Sequence, residues 1–401
     1  MKRLLLRAAT RRTALVAAVL LLGAGVAPPA RAATDHPRAT YRVTDLASLG
    51  GTASAGNSVN NRGWIAGFSN LPGDQTQHAT LWRGGKLVDL GTLGGPNSSV
   101  AWPVKNNRGL IAGIAETAQL DPLGETWSCS AFFPGTPTGH TCRGFVWERG
   151  VMRALPTLGG NNGFATGANN RGQVVGWAEN TVRDPTCNPP QVLQFRAAIW
   201  GPGKHQIRQL PPLAGDTTSA ATAINDRGQV VGISGICDNA VGRFSARHAV
   251  LWDHGTVTDI GNLGGTAWHT PMAINHRGDV VGFSNPPGDT GGRFRAHAFM
   301  WTARGGITDL GTLPGDSTSQ ALGINARRQV VGLSCGANGC RAFLWQGGVM
   351  TDLNTLVDPD CAGHLVFAND INDAGTITGQ RLDPATGESL AFVAAPVGRD
   401  H

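Results

Sequence analysis

Few residues in this sequence have types and spacing suited to chemistry. Gly332-Leu-Ser-Cys-Gly336 fits the Gly-x-Ser-x-Gly pattern of a hydrolase nucleophile elbow. That elbow requires a sharp strand-to-helix turn in an α/β sheet. Here the segment aligns with Gly232-Ile-Ser-Gly235 and Gly282-Phe-Ser-Asn285, which read as the ends of β-strands, so no nucleophile is expected. Asp121, Glu125, Asp184 and Asp238 could supply the acid and base of a glycan-cleaving enzyme. Such a pair must sit roughly 5–10 Å apart across an open slot. His78, His248 and His297 hold one repeated position, and a shared metal would need them to converge. The sequence has no zincin helix, paired-Cys zinc motif, phosphate loop or Asp-rich calcium loop. Neither a metal nor a cofactor is implied.

The elements that position these residues are repeats. Ala221–Gly232 (ATAINDRGQVVG) recurs as Pro271–Gly282 (PMAINHRGDVVG) and as Ala321–Gly332 (ALGINARRQVVG). The central asparagine marks seven copies: Asn60, Asn106, Asn169, Asn225, Asn275, Asn325 and Asn372, spaced 46 to 63 residues apart. Each copy offers four short segments, such as 219–224, 229–234, 248–252 and 257–260, bounded by Gly or Asn. These are strand signals without a helical period. A spacing of about 50 residues is that of propeller blades.

The last copy supplies 365–371, 376–380 and 390–394 and lacks a fourth segment, whereas Tyr41-Arg-Val-Thr-Asp-Leu46 is a fourth segment with nothing before it. The expected fold is therefore all-β: a seven-bladed β-propeller with four-stranded blades, closed by the N-terminal strand completing the last blade. Closure leaves no sheet edge open. An open β-solenoid is the alternative; it needs capping ends and gives no reason for a split repeat.

His297-Ala-Phe-Met-Trp301 followed by Ile307-Thr-Asp-Leu-Gly-Thr-Leu313 resembles the bacterial extracellular HAF repeat family. So do Arg341-Ala-Phe-Leu-Trp345 with Met350-Thr-Asp-Leu353, and His78-Ala-Thr-Leu-Trp82 with Val88-Asp-Leu-Gly-Thr-Leu-Gly-Gly95. The likeness covers 41–394. It departs where Arg replaces His at 143, 196 and 341, and where Leu390 opens the segment of the last copy. The resemblance implies export and a repeat fold and implies no established activity.

The first residues agree with export. Lys2, Arg3, Arg7, Arg11 and Arg12 precede an apolar run, Ala14–Val26, and Ala30-Arg31-Ala32 offers a peptidase site. Residues 1–32 read as a signal peptide for the Sec or twin-arginine route, 33–40 as a linker, 41–396 as the propeller and 397–401 as a tail. A secreted, extracellular protein is expected, with no membrane insertion. The signal holds six basic residues and no acid, so the formal net charge of +6 falls to zero in what remains. That balance argues against a nucleic-acid partner. Disulfides persist outside the cytoplasm. Proximity favours Cys129–Cys142 and Cys335–Cys340, with Cys187–Cys237 next and Cys361 left over.

Residues that recur from copy to copy read as scaffold: Trp82, Trp147, Trp200, Trp252, Trp301 and Trp345; Asp45, Asp89, Asp259, Asp309 and Asp352; and Arg62, Arg108, Arg171, Arg227, Arg277 and Arg327. Two short turns of each copy share one face of the ring. The opposite face collects the insertions 116–141, 179–194, 236–246 and 285–296, and one-sided insertions mark a binding face. The candidates there are the non-repeated Trp127, Phe132, Phe133, Arg243, Trp268, His269 and Arg293. Trp102, Lys105 and Asp370 interrupt first strands and are placed toward the axis. The sequence thus reads as a secreted non-catalytic binding scaffold, expected to be monomeric, for a polysaccharide, peptide or cell-surface protein. A glycan hydrolase or lyase on the same face, and an assembly role in the envelope, are the competing readings.

Overall fold

The computed structural model describes residues 41–202, 206–238, 241–289, 292–357 and 363–397. The export segment, the linker, Cys361 and the end of the tail lie outside the described residues. No described helix is long and apolar enough to cross a membrane.

Twenty-eight strands form seven four-stranded antiparallel sheets, arranged as a seven-bladed β-propeller. Blade 4 is typical, with strands Thr218–Ile224, Val230–Gly235, His248–Asp253 and Thr256–Asp259 running from the axis outward. Blades 1, 2, 3, 5, 6 and 7 begin at Ser54, Gly94, Gly159, Thr270, Asp316 and His364. The fourth strand of blade 7 is Tyr41–Asp45. It pairs antiparallel with Ser389–Pro396, from Tyr41 opposite Pro396 to Asp45 opposite Phe392. The split repeat therefore closes the ring as expected.

The repeated residues build the joints between blades. Each marker asparagine closes the turn after the first strand; in six of the seven its Oδ1 accepts two backbone N–H groups, two and four residues on. Six also donate Nδ2 to the carbonyl of the next blade's asparagine at 3.0–3.3 Å: Asn60 to Asn106, Asn169 to Asn225, Asn225 to Asn275, Asn275 to Asn325, Asn325 to Asn372, and Asn372 back to Asn60. The belt breaks at Asn106, whose Nδ2 donates to Leu110 O instead. Farther out, Trp82, Trp200 and Trp252 donate indole N–H to Ala47, Pro156 and Pro211, each in the connection leaving the preceding blade. The serines of the first strands accept from the third strand of the preceding blade, as Ser219 does from Ala197 N–H and Ser54 from Ala391 N–H.

Within a blade, the His–Asp positions of the repeat clasp the third and fourth strands. His78 meets Asp89 at 2.9 Å, His248 meets Asp259 at 2.8 Å and His297 meets Asp309 at 2.9 Å. Arg341 takes the histidine's place and reaches both Asp352 and Asp316. In blade 7 the corresponding residue is Leu390, and Arg381 of the neighbouring strand pairs with Asp45 at 2.5 Å. The glycine of Val-Val-Gly is fixed by close approach. First strands bulge against it, and a Cβ added to Gly67, Gly113, Gly176, Gly232, Gly282, Gly332 or Gly379 would lie 1.8–2.2 Å from a first-strand carbonyl oxygen.

Blade 2 departs from the expected pattern. Its first strand, Gly94–Ser99, ends before Trp102 and Lys105, and residues 100–110 leave the ladder. Pro103 lies in this stretch and has no N–H for a ladder bond.

The belt should be measurable. Asn225→Asp keeps the acceptor that closes the turn and loses the donor to blade 5, whereas Asn225→Ala loses both. Chemical denaturation should show Asn225→Ala costing about 2–4 kcal/mol, from several buried bonds at roughly 1 kcal/mol each, with Asn225→Asp milder. Equal costs would mean that the inter-blade bond is not the source of stability.

Candidate functional site

The insertions on the loop face are fastened. Cys129–Cys142 ties the largest loop to the third strand of blade 2, Cys187–Cys237 joins the loops of blades 3 and 4, and Cys335–Cys340 pins the end of a hairpin in blade 6. Glu125 accepts the backbone N–H groups of Val192 and Leu193, binding the blade 2 loop to that of blade 3. Asp184 accepts from Thr186 N–H and its hydroxyl. Asp238 accepts from Asn188 and grips Arg243 at 2.6 and 2.9 Å. Asp121 accepts from Asn162 Nδ2 at 2.7 Å.

The aromatic candidates divide into two groups. Trp102 and Phe132 pack edge-on against each other and against Phe164, in a core cluster that Phe133 borders. Trp127 opens the helical turn Trp127–Ser130; its side chain lies outside the described residues. Near blades 4 and 5, Trp268 donates to Gly292 O and packs edge-on against Phe294. Its backbone N–H bonds Arg243 O, so the two Gly-Arg-Phe loops meet there. Arg293 itself is exposed. His269 is fully buried between Ser284 Oγ at 2.8 Å and Gly265 O at 3.2 Å.

Lys105 and Asp370 come together in an ion pair of 2.8 Å. Lys105 Nζ also donates to Ile324 O and Ile371 O, crossing from blade 2 to blades 6 and 7. Asp370 is fully buried and accepts the N–H groups of Val59 and Ile371. Burial pushes its carboxyl up, opposed by the Lys105 ammonium and by these N–H donors. Lys105 thus occupies the axis beside the break in the asparagine belt.

Glu125 and Glu179 of the loop face come together, but not as an accessible acid–base pair. Glu125 and Glu179 share Gln191 Nε2, but they are 0 % and 2 % exposed. Burial, reinforced by Glu125, pushes the Glu179 carboxyl up to about 7, and burial also raises Glu125. The cavity beside this region, lined by Glu116, Phe133 and Thr138 among others, measures about 10 Å³. Ser334 lies in a second strand, accepting Leu313 N–H and donating to Thr318 O.

Larger openings than that cavity lie on the other face, where the two short turns of each blade emerge. The axial mouth there has a cavity of about 120 Å³ lined by Asn61, Asn107, Asn170, Asp226, His276 and Asp373, with Lys105 at depth. Its rim is held by backbone N–H bonds to the next blade's side chain, as from Asn107 to Asn170 and from Asn170 to Asp226. Clefts open between blades outside the rim: one of about 570 Å³ between blades 1 and 2, and one of about 220 Å³ between blades 3 and 4. The turn arginines Arg62, Arg108, Arg171, Arg227, Arg277 and Arg327 are all exposed. The ion pairs of this face among the described residues, Arg328–Asp279 and His254–Asp253, use none of them. This cationic face goes unnoticed when each arginine is read as one repeated scaffold position, because the near-neutral total conceals an uneven distribution.

No family model matches the chain, and no curated protein matches it. Among solved structures it is similar to an acylaminoacyl peptidase from Pyrococcus horikoshii, at 10 % identity and a TM-score of 0.47, covering 85 % of this chain and 50 % of that one. Porphyromonas gingivalis dipeptidyl peptidase 4 follows at 10 % identity and a TM-score of 0.31, covering 83 % and 44 %. A Bacteroides thetaiotaomicron protein of unknown function has 8 % identity and a TM-score of 0.34, covering 90 % and 100 %. This chain spans about half the length of the two peptidases.

Two of the buried titrating groups, His269 and Glu179, act in opposite directions on stability. Burial pushes the His269 imidazole down to about 4. Its contribution is complete above the unfolded value near 6.5 and is lost as pH falls toward 4. Glu179 contributes fully below its unfolded value near 4.5, and that contribution is lost as pH rises toward 7. Each amounts to on the order of 3 kcal/mol at most. In thermal melts between pH 4.5 and 7, Glu179→Gln should leave a Tm that falls on acidification, and His269→Asn one that rises. Matching profiles in the two variants would contradict both assignments.

Proposed function

We propose that this chain is an exported, non-catalytic binding propeller of the HAF repeat kind, and that the short-turn face presents its ligand site. The observation that carries the reading is the contrast between faces. The loop-face carboxylates Glu125, Asp184 and Asp238 are engaged in holding loops, while the short-turn face has open clefts lined by exposed arginines that take part in no ion pair among the described residues. Electrostatic complementarity on such a face gives fast, salt-sensitive association. Three disulfides fit an oxidising compartment. Membership in the HAF family is supported by the roles of the repeated motif, in which histidine clasps aspartate and tryptophan bonds the preceding blade.

Co-sedimentation with insoluble envelope polymers tests the reading. The purified chain should be retained at low ionic strength and released by salt on the order of 0.5 M, where screening shortens the reach of exposed charges. Arg227→Glu with Arg277→Glu should weaken retention, and Arg293→Glu on the loop face should not. Retention that follows Arg293 instead, or a glycan-cleaving activity abolished by Glu125→Gln, would overturn the proposal.

A further inference from the structure

The seven blades allow each joint to be compared with six others, and one joint concentrates the exceptions. Four residues after the marker asparagine, five other blades carry Gln173, Gln229, Asp279, Gln329 and Thr376, and blade 2 carries Leu110; blade 1 alone carries an aromatic residue, Trp64. After the motif tryptophan, other blades carry Glu148, Gly201, Asp253, Thr302 and Gln346, but blade 1 carries Arg83. The following turn of blade 2 adds Arg149, where blades 1 and 6 have Gly84 and Gly347. These three exceptions line the 570 Å³ cleft between blades 1 and 2, together with Arg108 and Glu148.

The local packing gives this cleft a fixed wall. The Arg83 guanidinium lies over the Trp64 ring, 5.0 Å from its centroid. Trp64 in turn rests against Gly109, where an added Cβ would fall 2.6 Å from the ring. Gly109 has φ +84, so its left-handed backbone and its missing side chain both serve the contact. Stacking restricts a guanidinium and pre-organises its donors. Arg83, Arg108 and Arg149 are exposed, and none takes part in an ion pair among the described residues. In the cleft between blades 3 and 4, Gln173 stands where Trp64 does here.

Three guanidinium groups around one cleft call for an oxyanion, which arginine binds by paired N–H donors. Glu148 in the same cleft disfavours a densely charged polyanion and favours a ligand that also donates hydroxyls. We infer that the cleft formed by Trp64, Arg83, Arg108, Glu148 and Arg149 is a binding site for an acidic saccharide, with its carboxylate on the arginines and its hydroxyls toward Glu148. The inference rests on the proposal that the short-turn face binds ligand, and it names the site and the ligand class.

Calorimetric titration of the purified chain tests it, using a galacturonate trisaccharide, the uncharged galactose trisaccharide and inorganic phosphate as probes. The galacturonate should bind at least roughly tenfold more tightly than the neutral sugar, a difference of about 1.4 kcal/mol. Phosphate alone should bind more weakly than galacturonate. Trp64→Gln installs the residue of three other blades and keeps the fold; it and Arg108→Ala should each weaken galacturonate binding roughly tenfold, within the range for charge-assisted bonds. Arg293→Ala, on the loop face, should leave it unchanged. Equal affinity for the neutral sugar, phosphate binding as tight as galacturonate, insensitivity to Trp64→Gln, or no galacturonate binding would each overturn the inference. Envelope retention that survives Trp64→Gln would leave the wider proposal for this face standing, and absent retention in the wild type would remove that as well.

Discussion

The bond from one asparagine side chain to the next blade's asparagine carbonyl is the constraint on which the ring depends. A single side chain does two tasks. Its carbonyl end closes a turn, which sets where the first two strands of a blade reverse. Its amide end fixes the distance and rotation to the neighbouring blade. A blade cannot shift along the axis without breaking its own turn or the joint beside it. The bond from Asn372 to Asn60 carries the belt across the two ends of the ring, leaving the one break at Asn106, and the N-terminal strand makes the sheet of blade 7 complete. Outer layers repeat the logic with tryptophan N–H and serine hydroxyl bonds, so each blade is held at several radii.

The single break in the belt shows how the constraint is met when the repeat fails. Blade 2 leaves its first strand early, and Asn106 turns its amide inward to its own loop. Lys105 then reaches across the axis to two carbonyls and to Asp370. Removing Lys105 would leave the fully buried Asp370 carboxylate without its cation, which is costly in a low-dielectric interior. The pair substitutes a long-range tie for the missing local one. It also places a cation beneath the axial mouth.

Architecture was legible in the sequence because it is periodic. Asn225, Gly232, Trp252 and Asp259 recur in the same order from copy to copy, the glycine always seven residues after the asparagine, and the split repeat itself implies closure. The site was less legible, for two physical reasons. Burial is not encoded by residue type: Trp102 and His269 are both exceptions to the repeat, yet Trp102 is half-buried against a core cluster and His269 is fully buried. Proximity across a joint is not encoded by spacing: Trp64, Arg83 and Arg149 lie at the turns of two different copies. Only the ring brings them to one cleft. The useful signal was present all the same: each differs from its counterparts in the other blades, and those differences fall at a single joint.

Faces of a propeller can therefore be ranked by what their side chains still have to offer. The long loops of one face look suited to recognition, yet disulfides and buried carboxylates bind them to one another. The short turns of the other face look like mere corners, yet they carry the exposed guanidinium groups and the open clefts. Hydrogen exchange read by mass spectrometry, with and without bound envelope glycan, tests this ranking most directly. The account predicts slowed exchange in the turns at 60–65, 83–86, 106–111 and 147–151, with the loops 116–141 and 179–194 unchanged. Protection confined to those loops would contradict it.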